Sequence, residues 1–150
     1  MFKQVIVANK KLNMSPGKIS AMTSHGAVSF LTEWIRRNVI PTPDSRDYAI
    51  KPEARIDGDL YTEWICGSFT KIILEAENEE QMKEIIKKAH EAGMINRQDF
   101  FNIVDESTEF LDIPQWAVIA FRPMQPEKID PITGDLNLYG YSDKFPEGWE

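Results

Sequence analysis

Lys18 and His25 stand seven residues apart in "MSPGKISAMTSH", and Asp105 opens the polar run Asp105-Glu106-Ser107-Thr108-Glu109. An ammonium near a helix start, with unpaired N–H groups and a partial positive charge beside it, makes a place for a phosphate or a developing oxyanion. A carboxylate in a loop at the carboxyl end of a strand could orient or charge a histidine for proton transfer. The bland alternatives are a solvated helix face for Lys18 and His25 and a turn cap for Asp105. The lysine is not part of a P-loop: the first glycine is missing, and Ile19 stands where that motif has Ser or Thr. Cys66, in "WICGS", reads as a small buried residue rather than a nucleophile. His90, late in a charged helical stretch, reads as solvated.

The elements that must carry these residues follow from periodicity and punctuation. "KQVIVAN" (3–9) alternates and is rich in β-branched residues, which predicts a strand. Ser15 then offers an N-cap with Pro16 at the first helical position, predicting a helix to about Asn38. Stepping about 100° per residue from Ile19, the positions Thr23, Gly26, Ala27, Phe30, Leu31 and Trp34 form an apolar stripe between about 340° and 120°. Lys18, His25 and Ser29 fall near about 240–280°, a face expected to look away from the core.

Residues 39–62 hold several prolines and aspartates with no clean period, and read as an insertion, a lid or a mobile loop. "FTKIILEA" (69–76) predicts a second strand. Asn78 with Gln81 resembles a capping box and Gly93 supplies a stop, so 79–92 is a helix with Glu79–Lys83 and Glu84–Lys88 pairs. "FFNIV" (100–104) and "WAVIAFR" (116–122) are further strands, "QPEKIDPITG" a helical turn, and the end from Leu136 a short strand or extended tail. Alternating strands and helices give an α/β fold with mixed strand directions.

Length fits one domain with a real core, and no stretch approaches the roughly 18 apolar residues of a membrane span. The start lacks a signal-peptide pattern and the single cysteine builds neither a disulfide framework nor a metal knuckle, so the expected compartment is the cytoplasm. A net charge of −7 argues against a nonspecific nucleic-acid coat. Yet residues 1–40 carry a local +5 and the remainder −12, which leaves room for one basic patch.

Taken together, "MSPGK…SH", "TKIILEAENEEQMKEIIKKAHEAG", "VDEST" and "IPQWAVIAFRPMQPEKIDPITGDLNLY" resemble, in order, the blocks of the peptidyl-tRNA hydrolase type II family. The similarity covers the chain apart from 39–62 and the last dozen residues. The resemblance implies a single domain with a four-stranded mixed β-sheet flanked by helices, usually a homodimer, without metal or organic cofactor. It implies hydrolysis of the ester between a peptide and the 3′ end of tRNA, releasing free tRNA. It assigns the catalytic positions to Lys18, His25, Asp105 and Thr108. Lys10, Lys11, Arg36 and Arg37 would then meet tRNA phosphates, and Tyr61 and Trp64 are candidates for stacking on the single-stranded 3′ end. The family usually has glutamine at Met22, alanine at Gly26 and an Asp-Ala-Gly-Arg-Thr loop where this chain has "DESTEFLDIP". That altered loop also admits a catalytically impaired module that binds tRNA or a protein partner. An unrelated phosphate-binding α/β enzyme is a third reading, supported by the Lys18 helix start alone.

Overall fold

A computed structural model of the chain describes residues 1–106 and 113–141. The elements run β1 (Gln4–Asn9), α1 (Pro16–Arg37), β2 (Val39–Pro41), β3 (Tyr48–Ile50), β4 (Lys71–Ala76), α2 (Glu79–Glu91), β5 (Phe100–Asp105), β6 (Gln115–Phe121) and α3 (Pro126–Thr133). A four-stranded mixed sheet has the order β4–β1–β6–β5, as expected for this α/β class. β1 lies parallel to β4 and antiparallel to β6, and β6 is antiparallel to β5. β1, β4 and β5 therefore point the same way, and Asn9, Ala76 and Asp105 end on one rim.

Helices cover both faces of this sheet, so its central strand β1 is buried along its whole length. Val5, Val7, Ile119, Phe121 and Phe100 pack under α2 and α3 with Met82, Ile85 and Ile129. Ile6, Ala8, Val118, Ala120 and Ile103 pack under α1 with Phe30. The alternation that marked the strands is thus a division between two cores, each Val, Ile, Phe or Met contributing about 1.5–3 kcal/mol by burial.

α1 begins as its sequence dictates: Ser15 Oγ accepts the Lys18 amide at 3.3 Å, and Pro16 opens the first turn. Its buried residues, however, are Gly26, Ser29 and Phe30. The contact stripe is rotated toward the polar side: Ser29, expected to look away from the core, is buried, and Lys18 turns to the buried Asp105, whereas His25 is exposed as expected. Ser29 is buried because its hydroxyl donates to the His25 carbonyl at 2.8 Å, which satisfies it inside the helix. Gly26 allows the close approach: a β-carbon there would sit 2.8 Å from the Ala120 β-carbon.

α2 is capped by Asn78, whose side chain accepts the Gln81 amide, while Gln81 Oε1 accepts from Glu77 N–H, one residue before the expected return bond. Gly93 follows with φ 83°. Lys83 pairs with Glu80 rather than Glu79, at 3.5 Å. The segment 39–62 is not devoid of regular structure: β2 and β3 form an antiparallel hairpin separate from the main sheet. A π-helical segment, Leu60–Ser68, interrupted at Gly67, leads into β4. Leu60 and Trp64 of that segment enter the α1-side core. Near the C-terminus, Leu138 bridges to Leu74, and Tyr139 N–H reaches the Ile73 carbonyl at 3.0 Å, extending the β4 edge briefly. At the opposite end of the sheet the Met1 ammonium donates to Gln125 Oε1 at 2.8 Å.

Candidate active site

The rim where β1, β4 and β5 end also receives the start of α1. Lys18, in the helix's first turn, reaches across to the last residue of β5: its Nζ lies 2.9 Å from Asp105 Oδ2. Asp105 is buried, with a side chain 7% exposed, whereas Lys18 keeps 31% of its side chain in solvent. A buried carboxylate thus holds a half-exposed ammonium in one place, the arrangement that presents a positive charge to an incoming anionic oxygen. Pro16 has no N–H to give, the Lys18 amide goes to Ser15, and the Ile19 amide goes to the Ser15 carbonyl at 2.9 Å.

His25 sits two helical turns further on, about 10 Å along the axis. It is exposed, and its imidazole makes no hydrogen bond among the described residues. It opens onto a groove of about 400 Å³ between α1 and the β5 edge, shared with Ser29, Asn102, Val104 and Glu106. Asp105 thus meets Lys18 directly, while His25 borders the groove that reaches Asp105's chain neighbours. Thr108 lies outside the described residues.

The candidate phosphate contacts separate into two groups. Lys10 and Lys11 form a 3-10 turn right after β1, on the rim that also carries Asp105. Lys10 Nζ is 3.1 Å from Glu75 Oε2, whose side chain is only 3% exposed. Glu75 Oε1 also accepts the Gly140 amide at 3.2 Å. Lys11 is exposed and in no ion pair among the described residues. Arg36 and Arg37 lie about 27 Å away along α1. Both converge on Glu33, at 3.7 and 3.2 Å, where Arg97 joins at 3.2 Å. Partial burial pushes the Glu33 carboxyl up, but Arg97 and Arg37 outweigh it and hold it below its ordinary value of 4.5. In the sequence Glu33 counts only toward the local charge of residues 1–40; the signal for Glu75 is a lone carboxylate inside the apolar strand "KIILEA".

Two expectations are corrected. Trp64 is 1% exposed and cannot stack on a base: its Nε1–H donates to the Thr70 carbonyl at 2.9 Å, and its ring packs on Phe30 and Phe69. Cys66 is exposed, not buried, because Leu60 and Trp64 take the inward side of their helical segment. Tyr61 is 49% exposed, its phenol pushed above the usual 10 by the hydrogen-bonded Cys66 thiol. His90 is exposed, as expected, with its ring edge-on to Phe100. Among the described residues no three His, Cys, Asp or Glu side chains cluster as a metal site, and no helix is long and apolar enough to cross a membrane.

Comparison with known proteins places the whole chain, not single residues, against a family. The family model described as peptidyl-tRNA hydrolase PTH2 matches residues 2–139. A protein named peptidyl-tRNA hydrolase from Nanoarchaeum equitans is 29% identical over 93% of this chain and 100% of its own length. Its namesake from Thermoplasma acidophilum is 26% identical over 91% and 97% respectively. The mitochondrial peptidyl-tRNA hydrolase 2 of Bos taurus is 28% identical over 92% of this chain and 64% of its own length. A match across nearly the whole fold, with the Lys18 helix start and the β5 end inside it, places the chain in the peptidyl-tRNA hydrolase PTH2 family, a family of hydrolases.

Proposed function

We propose that this protein hydrolyses the ester joining a peptide, or an N-blocked aminoacyl group, to the 3′ end of tRNA. The observation that carries the reading is the 2.9 Å Lys18–Asp105 pair on the rim where three strands end. Ester hydrolysis by water needs an activated water, a stabilised oxyanion and a proton for the leaving ribose oxygen. In this reading Lys18, fixed by Asp105 and aided by the helix N-terminus, faces the oxyanion or the adjoining phosphate. His25 takes the proton from water across the groove and returns it to the leaving oxygen. Thr108 keeps its role as the residue that positions the water. Lys11 and the exposed flank of Lys10 meet the terminal phosphates, and Tyr61 remains the aromatic candidate.

The test is release of free tRNA from N-acylaminoacyl-tRNA by the purified chain, beside Lys18→Met, His25→Ala and Asp105→Asn. Each substitution is expected to lower kcat/KM by about 100-fold or more, the scale of a lost charge stabiliser or proton carrier, with far-UV circular dichroism unchanged. Wild-type turnover that survives both Lys18→Met and His25→Ala would refute the assignment. Salt-sensitive tRNA binding without turnover would point instead to the impaired, binding-only module.

A further inference from the structure

We propose that the outer edge of β5 is the peptide subsite: the peptide of an acylated tRNA lies along it as an added parallel strand, held by its main chain. The inference rests on the hydrolytic reading and adds where the acyl chain runs and why its sequence matters little. It starts from the topology. β5 ends the order β4–β1–β6–β5, and among the described residues only Asn96 bridges to its far side, at Phe100.

The hydrogen-bond phase decides which groups face outward. Arg122 N–H donates to the Asp99 carbonyl at 2.9 Å, so that carbonyl faces β6. The next carbonyl, of Phe100, accepts from Arg97 N–H at 2.8 Å and so faces away. Along an antiparallel ladder this direction alternates. With the register Phe101–Ala120, Asn102–Ile119 and Ile103–Val118, the N–H and C=O of Asn102 both point away from β6, toward no strand among the described residues. A register irregularity between Ile103 and Val104 follows at once, a device that re-aims side chains beside active sites. Val104 is left 43% exposed on the groove that His25 borders.

That groove, of about 400 Å³, has the length and lining an extended chain needs. Its other wall is one face of α1, carrying His25, Ser29, Thr32 and Arg36. Eleven helical residues span about 16 Å, the reach of about five extended ones. Ser29 and Thr32 donate their hydroxyl protons to the carbonyls of His25 and Ser29, at 2.8 and 3.0 Å. Neither is left to donate to a chosen side chain. Peptides that share only a main chain and an ester are recognised by such backbone pairing at a strand edge. Direction follows from the rim. The ester must sit near Lys18 and Asp105, where β5 ends, so the C-terminal end of the peptide lies beside the C-terminal end of β5. Asn102, about 10 Å before Asp105 along the strand, then meets the peptide about four residues from the ester.

The test is kcat and KM of the purified chain on N-acetyl-oligoalanyl-tRNA carrying one, three or five alanines. KM is expected to fall about tenfold from one alanine to five, the scale of two added hydrogen bonds, with kcat little changed. Within the five-residue peptide, N-methylation should raise KM at a single residue, third or fourth from the ester, and at neither of its neighbours, because successive N–H groups of a strand point to opposite sides. Asn102→Pro removes the outward N–H at a place where an edge strand tolerates proline, and should flatten the dependence on length. The N-methylation series on the wild type decides the matter if that variant does not fold. Equal KM at every length overturns the inference and leaves the hydrolytic reading standing. So does a length dependence that folded Asn102→Pro preserves, or N-methyl effects of equal size at every residue. No turnover at any length refutes the hydrolytic reading and this inference with it.

Discussion

Gly26→Ala adds one methyl at the point where α1 comes nearest the sheet. The new carbon would lie 2.8 Å from the Ala120 β-carbon, 3.5 Å from Val118 Cγ2 and 3.8 Å from Ile103 Cγ1. Carbon atoms prefer about 3.5–4.0 Å, so about 0.7 Å or more must be found. Ala120 Cβ has no rotamer through which to retreat. Either the 22-residue helix lifts or β6 bends. Overpacking of this kind costs about 1–3 kcal/mol, while replacing a helical glycine by alanine returns about 1 kcal/mol. The net expectation is a loss of about 1 kcal/mol, read as a lower urea midpoint at constant m-value and a melting temperature about 2–4 °C lower. Gly17→Ala is the control in the same helix, since nothing lies within 4 Å of a β-carbon there, and it should be neutral or stabilising. Adding Ala120→Gly to Gly26→Ala removes the clash, so the double-mutant cycle should show favourable coupling of about 1 kcal/mol. The Lys18 side chain is flexible enough to follow a small shift of α1, so hydrolysis should change less than tenfold. Gly26→Ala as stable as Gly17→Ala, or a cycle with no coupling, would refute the close approach of α1 to β6.

Three further outcomes follow from residues elsewhere in the fold. Glu33 has its carboxyl held below the ordinary 4.5 in the folded state, so the folded protein resists protonation there more than the unfolded chain does. Its contribution is present above the unfolded value and lost as pH falls through the folded one. The stability gap between wild type and Glu33→Gln, followed by urea denaturation, should be constant at neutral pH and close below about pH 4.5; a gap that widens on acidification would contradict the sign. Trp64→Phe, which loses the hydrogen bond to Thr70 but keeps most of the packing, should cost about 1–2 kcal/mol, and Trp64→Ala about 3–5 kcal/mol. Tyr61→Ala should instead raise KM for acylated tRNA at little cost to stability; weaker tRNA binding by stable Trp64→Phe would show that the tryptophan meets the nucleic acid.

Much of the positioning machinery was legible in the sequence because it is encoded locally. Ser15-Pro16 and Asn78 with Gln81 cap their helices through bonds within four residues, and the β-branched runs form the strands they predict. The approach of Lys18 to Asp105 follows from topology, since a helix after β1 begins on the rim where a parallel β5 ends. What escaped depends on who packs against whom. Ser29 is polar by type yet buried, because its hydroxyl is satisfied inside the helix. Cys66 is apolar by type yet exposed, because Trp64 occupies the inward position of a short segment with too few turns to show a period. The hairpin strands, "VIP" and "YAI", are only three residues each, shorter than the alternation needed to announce them.

The buried carboxylate of Glu75 gathers parts distant in sequence: the turn after β1 through Lys10, and the chain near its C-terminus through Gly140. The two ends of the described chain consequently leave the sheet at opposite poles, Met1 beside Gln125 and Tyr141 beside the rim that Asp105 closes, separated by a strand of about 20 Å. For anyone tethering this protein to a surface, a resin or a fluorophore, the poles are not equivalent. A group carried at Met1 sits a strand's length from the rim, whereas one carried at Tyr141 sits on the same rim as Lys10, Glu75 and Lys18.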